Sequence, residues 1–133
     1  MGYCGAEMGG IRAKIQTAED IYQLVRTAVV RRQPMEAFYD GYHRVLCPHR
    51  LGRNKDGEFR VLCYQCGGQS RSGLQPAGSA ANWRCIVVEK LGNVKLLTDR
   101  WRTAPNHSRL QTCIAEADVD VEDQPGGEPQ KGQ

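Results

Sequence analysis

Two strand-like runs in the middle of the chain, Glu58–Gln65 and Asn82–Lys90, joined by a long stretch rich in Gly, Ser, Pro and Ala, restrict the fold most. Phe59, Val61 and Cys63 alternate with Arg60, Leu62 and Tyr64, the period of a strand that turns successive side chains to opposite faces. The β-branched residues Ile86, Val87 and Val88 suit a strand covered on both sides. A third short run, Val94–Leu97, follows Gly92-Asn93. Cations stand inside these runs at Arg60, Arg84 and Lys90, where charge is costly unless partnered or wet. That conflict between pattern and composition directs the search for function.

The elements around this centre follow from local signals. Ile21, Leu24, Val25, Ala28 and Val29 make one apolar stripe, which predicts a helix from Ala18 to Arg32. Thr17 is placed to cap it, with Asp20 three residues on, and Gln33-Pro34 stops it. Met35–Tyr39 and Tyr42–Cys47 flank Asp40-Gly41, a hairpin signal, and Pro48 is expected to end the second strand. Asn54-Lys55-Asp56-Gly57 is a further turn. Cys113 to Val121 alternates weakly and reads as a last strand, with Asp118 and Asp120 on its outward face. A paired-carboxylate metal site there is weighed against a charged, solvated edge, and the edge is preferred. Residues 1–12 are Gly-rich and without period, and 122–133 are acidic and Gly/Pro-rich; both are expected to be disordered.

A chain of 133 residues is expected to form one domain. No stretch approaches the roughly 20 apolar residues of a membrane span. The N-terminus lacks the order of a signal peptide, so no membrane association and a cytoplasmic location are expected. The six cysteines are then read mostly as buried thiols, Cys63 and Cys85 within strands. Net charge is +3, unevenly spread. From Glu116 onward six acids face one lysine, and the remaining body carries a net +8. A basic body favours an anionic partner such as a nucleotide or single-stranded nucleic acid over ordinary sign scatter.

Three constellations compete for the chemistry. Arg84, Ile86, Val88 and Lys90 would share one strand face, placing Arg84 and Lys90 about 20 Å apart, as two contacts to an extended anion. The bland alternative pairs Arg84 with Glu58, Glu89 or Asp99. The loop Gly67–Asn82, with Ser70, Arg71 and Ser72, could wrap an anion with backbone N–H groups or be a plain connector. Zinc is the second constellation: Cys63-Tyr64-Gln65-Cys66 is knuckle-like and Cys47-Pro48-His49 could complete four ligands. Against it, Cys63 and Cys66 are three apart in a strand and point to opposite faces. Catalysis is the third, and no Cys–His–acid set sits in a recognisable motif, so no enzymatic activity and no cofactor are expected.

Tyr39, the run Cys47-Pro48-His49-Arg50-Leu51, Gly57-Glu58-Phe59-Arg60-Val61 and the Arg-led strand Arg84–Leu91 occur in the order found in the WYL domain. The chain resembles that family over about Ala18 to Leu97. The signature Trp-Tyr-Leu is Phe59-Arg60-Val61 here, and the family's second Arg is Lys90. The resemblance implies an SH3/Sm-like barrel of bacterial transcriptional regulators, a ligand-sensing domain whose basic residues bind nucleotides or single-stranded nucleic acid. No helix-turn-helix accompanies it. The chain would then work with a DNA-binding partner protein, or sense without reading DNA; a homodimer is allowed.

The resulting expectation is an α+β domain, an N-terminal helix packed on a small antiparallel SH3/Sm-like β-barrel over 13–121. Its function would be regulatory ligand binding, in transcription or defence. Arg84 is the expected phosphate contact, with Arg60, Lys90, His49, Ser70, Arg71 and Ser72 in support. A zinc-stabilised structural module on Cys47, His49, Cys63 and Cys66, or a protein-interaction domain, are the alternatives.

Overall fold

A computed structural model of the chain describes residues 16–71, 73–104 and 113–123. One helix, α1 (Ala18–Arg31), opens it. Thr17 caps α1: its hydroxyl accepts from the Asp20 N–H, and the Asp20 carboxylate accepts from the Thr17 N–H. This reciprocal box satisfies two of the donors that every helix start leaves open. Arg32 ends α1 in the left-handed region at φ 52°. Ile21, Val25, Ala28 and Val29 form its buried stripe, as the spacing predicts.

Six antiparallel strands follow: β1 (Met35–Tyr39), β2 (Tyr42–Arg53), β3 (Phe59–Gly68), β4 (Trp83–Val87), β5 (Gly92–Leu96) and β6 (Glu116–Asp120). The sheet order is β4-β3-β2-β1-β5, and β6 pairs with the far end of β2. The sheet is not closed: β4 and β5 lie at opposite ends of the order, so the pairing gives an α+β fold with an open sheet. Asp40 and Gly41, both at positive φ (55° and 80°), make the tight β1–β2 turn. No helix among the described residues is long and apolar enough to cross a membrane.

Each face of the sheet has its own core. Val25 and Val29 of α1 pack with Met35, Leu46, Leu51, Val61, Cys63 and Ile86 beneath it. Cys47, Leu62, Tyr64, Trp83 and Ile114 form a second, smaller cluster, with Cys66, Trp101 and Cys113 at its border. Along β3 the alternation is strict: Val61 and Cys63 belong to the first cluster, Leu62 and Tyr64 to the second.

Four expectations change. β2 does not stop at Pro48 but runs on to Arg53. Pro48 falls between the stretch paired to β1, ending at Leu46, and the stretch paired to β6, beginning at Arg50. Its missing N–H therefore interrupts neither of those two ladders; on its other side it pairs with Cys63 of β3, next to an irregularity in that ladder. The expected strand to Lys90 ends at Val87, because Val88–Lys90 form a turn of 3₁₀ helix. Arg84 and Lys90 accordingly do not share a strand face. Asp118 and Asp120 do not share an outward face either: Asp120 is buried against Arg50, Oδ2 to Nε 2.5 Å, while Asp118 bonds Tyr22 and pairs with Arg26. Of the stretches expected to be disordered, 1–12 and 122–133, Glu122 and Asp123 instead belong to the 3₁₀ turn Val121–Asp123; 1–12 and 124–133 lie outside the described residues, as does Ser72.

Candidate anion-binding cavity

Two irregularities in the β2–β3 ladder build the site. Val45 pairs with Gly67 but Leu46 with Gln65, which leaves Cys66 as an extra residue on β3. Pro48 pairs with Cys63 but Arg50 with Leu62, which leaves His49 extra on β2. Such bulges re-aim side chains and concentrate at functional positions. The second also explains how Leu46 and Leu51, five residues apart, both reach the core under α1. His49 is 1% exposed, wedged between the rings of Trp83 (4.7 Å) and Trp101 (4.2 Å). Both its nitrogens are engaged, Nδ1 with the Cys47 carbonyl at 2.7 Å and Nε2 with the Thr103 hydroxyl at 2.8 Å.

Two cavities stand out among the described residues, and their charge separates them. The larger, about 820 Å³, is a groove between α1 and the β2–β6 end of the sheet. Glu19, Glu89, Glu116 and Asp118 line it against one cation, Arg53, so it repels anions. The smaller, about 300 Å³, lies on the opposite side of the sheet, over Tyr64 and Cys66. Arg100, Trp101, Arg102 and Thr103 form one wall; Leu74, Gln75, Ala77, Gly78 and Asn82 form the other. It has two guanidinium groups and no carboxylate in its lining. Arg100 and Arg102 are exposed, and neither forms a salt bridge among the described residues. Trp101 also lines the cavity, and its buried indole N–H has no acceptor among the described residues.

The loop wall is tied down. Asn82 is buried and holds the loop with three bonds, accepting from the Gln75 N–H and donating to the Gln75 and Pro76 carbonyls. Tyr64 donates its hydroxyl to the Ser79 carbonyl at 3.0 Å. Arg84 is the third anchor. Its guanidinium donates to Gln65 Oε1 (3.1 Å), the Ala81 carbonyl (2.7 Å), the Ser70 hydroxyl (3.3 Å) and the Gly73 carbonyl (3.3 Å). Among the described residues no carboxylate partners it, yet its donors are occupied by Gln65 and the loop, and it lines neither of the two cavities. The loop is therefore held in place at several points rather than being a free connector.

Arg44, 4% exposed, donates to the same Gln65 oxygen and lies over Tyr39 (5.1 Å) and Tyr42 (5.7 Å). Burial, and then the Arg44 charge, pull the Arg84 guanidinium below its ordinary value. The two arginines thus add positive potential behind Gln65, which itself lines the smaller cavity.

The other sequence candidates are scattered. Arg60 pairs with Glu58 (2.7 Å), which holds that carboxylate below its usual range with help from Asn54. Arg71 pairs with Asp40 at the β1–β2 turn, and Lys90 is exposed on its 3₁₀ turn. The zinc alternative is not assembled. Cys47 and Cys66 approach to 3.7 Å, but Cys63 is buried in the other core and His49 is committed elsewhere. Among the described residues no group of three or more His, Cys, Asp or Glu could hold a metal ion. Cys85, read as a buried thiol, is exposed and disulfide-bonded to Cys113. Comparison with protein-family models, curated proteins and solved structures finds no match.

Proposed function

We propose that the protein is a binding module for a phosphate-bearing ligand, a nucleotide or a short single strand of nucleic acid, held in the smaller cavity. The carrying observation is a concave site with Arg100 and Arg102 in its wall and no carboxylate in its lining. Guanidinium groups match phosphate oxygens in pairs, and the partly exposed Trp101 offers ring surface for a base. A volume of about 300 Å³ is at the small end of ligand sites and suits one nucleotide unit. Arg84, expected as the direct contact, takes a supporting role in this reading: it fixes the loop that forms one wall.

The regulatory role implied by the WYL resemblance belongs to the same proposal, and so does the SH3/Sm-like kinship of the fold. Its support is the order helix, β1–β4 meander, and a fifth strand returning to β1. A cytoplasmic location is retained with it, against one counter-indication: the Cys85–Cys113 bond persists best in an oxidising compartment.

The test is a thermal-shift series with mononucleotides and short single strands. A ligand that binds only the folded chain raises its Tm. The wild type is expected to shift, the Arg100→Ala/Arg102→Ala double variant to lose the shift, and Arg53→Ala, in the acidic groove, to keep it. No shift with any phosphate-bearing ligand, or an undiminished shift in the double variant, overturns the reading.

A further inference from the structure

Cys47 and Cys66 face each other with their sulfurs 3.7 Å apart, on the same side of the sheet. The two play unequal parts. Cys66, the extra residue of its bulge, is half-exposed and lines the smaller cavity. Cys47 is fully buried behind it, and its sulfur accepts the Arg102 backbone N–H at 3.2 Å. From these positions we propose that Cys66 and Cys47 form a reactive dithiol site that takes low-molecular-weight disulfides, Cys66 as nucleophile and Cys47 as resolving thiol.

The electrostatics agree with the geometry. The hydrogen bond from Cys47 and the charge of Arg102 lower Cys66 to about 7, against burial and a smaller opposing effect of Asp99. The same hydrogen bond, with burial, pushes Cys47 upward and keeps it a thiol while Cys66 is a thiolate. A thiolate next to a cation in a partly open site is the reactive form of cysteine.

The exchange balances in two steps. The Cys66 thiolate attacks one sulfur of the reagent disulfide, forms a mixed disulfide and expels one thiolate. Cys47 then attacks Cys66 Sγ, closing Cys47–Cys66 and expelling the second thiolate, which takes the Cys47 proton as it leaves. Two protein thiols are oxidised and one reagent disulfide is reduced to two thiols. In the second step the Arg102 N–H supports the developing charge on the Cys47 sulfur. Closure requires the sulfurs to approach by about 1.7 Å, from 3.7 Å to a bond of about 2.05 Å. Cys63 takes no part: it is fully buried on the other face, and burial raises its thiol above the ordinary range.

This inference does not rest on the binding reading. The probe is oxidised glutathione added to the full chain, followed by peptide mapping. The wild type is expected to yield a Cys47–Cys66 crosslink without a lasting adduct. Cys47→Ser should stop at a glutathione adduct on Cys66, and Cys66→Ser should give neither product. A second measurement needs no variant: iodoacetamide labelling of Cys66 in the wild type should rise through half-maximum near pH 7 and outpace Cys63 at least tenfold. A crosslink between other cysteines, an adduct-free Cys47→Ser chain that is folded, or Cys66 labelling no faster than Cys63 would overturn the proposal.

Discussion

Asp120 and Arg50 meet at 2.5 Å, with Asp120 2% exposed and its other oxygen accepting the Glu122 N–H. Removing one partner of a buried pair strands the other charge. Asp120→Ala is therefore expected to destabilise the fold by about 3 kcal/mol, checked by urea denaturation; a change within experimental error would show that the pair is not needed. The same scale shows what sequence could and could not convey. Cys66 and His49 were legible as chemistry-bearing residues, but a strand pattern assumes a continuous period of two, and both are the extra residues of bulges. Nothing in Cys47-Pro48-His49 announces that His49 spends both nitrogens on local bonds. Arg100 and Arg102 were missed because they follow the last recognisable strand of the central region. The triplet Arg100-Trp101-Arg102, an aromatic between two cations, is the signal the sequence did hold.

The elements themselves were largely readable where one local rule dominates. The Thr17–Asp20 box, the apolar stripe of α1 and the Asp40-Gly41 turn all appear as their residues dictate. The rule failed at Pro48, where the tertiary gap between β1 and β6 overrides the stop signal. The loop from Gln69 to Asn82 was ambiguous by composition because its order comes from Arg84 and Asn82, which lie at its far end. Arg84→Ala should loosen it. Several hydrogen bonds from one charged group are lost, at about 1–3 kcal/mol, and amide exchange should accelerate in 73–82 while α1 keeps its protection. Uniform acceleration across the chain would contradict a local clamp. Gly52 tests the β2–β6 contact. A Cβ there would run into the Glu116 carbonyl and the Ile114 side chain. Gly52→Ala is expected to cost about 1–3 kcal/mol by overpacking, seen as a lower Tm.

At the scale of the molecule, two features hold together what an open sheet leaves free. The Cys85–Cys113 disulfide joins β4 to the segment before β6 across a separation of 28 residues. On the chain-entropy account a loop of that length contributes about 3.6 kcal/mol, so Cys85→Ser should lower the denaturation midpoint accordingly. An unchanged midpoint would mean that the reduced chain retains the same restraint. The second feature is charge. The acidic groove and the carboxylate-free cavity lie at different places on one small fold, so a net charge of +3 conceals two surfaces of opposite sign. The central claim is that the second surface holds phosphate, and salt reads it most directly. For a short single strand titrated at increasing salt, two phosphate contacts give a slope of log affinity against log salt of about −1.4. Removing Arg102 is expected to halve that slope; affinity independent of salt, or a slope that Arg102→Ala leaves unchanged, would contradict the account.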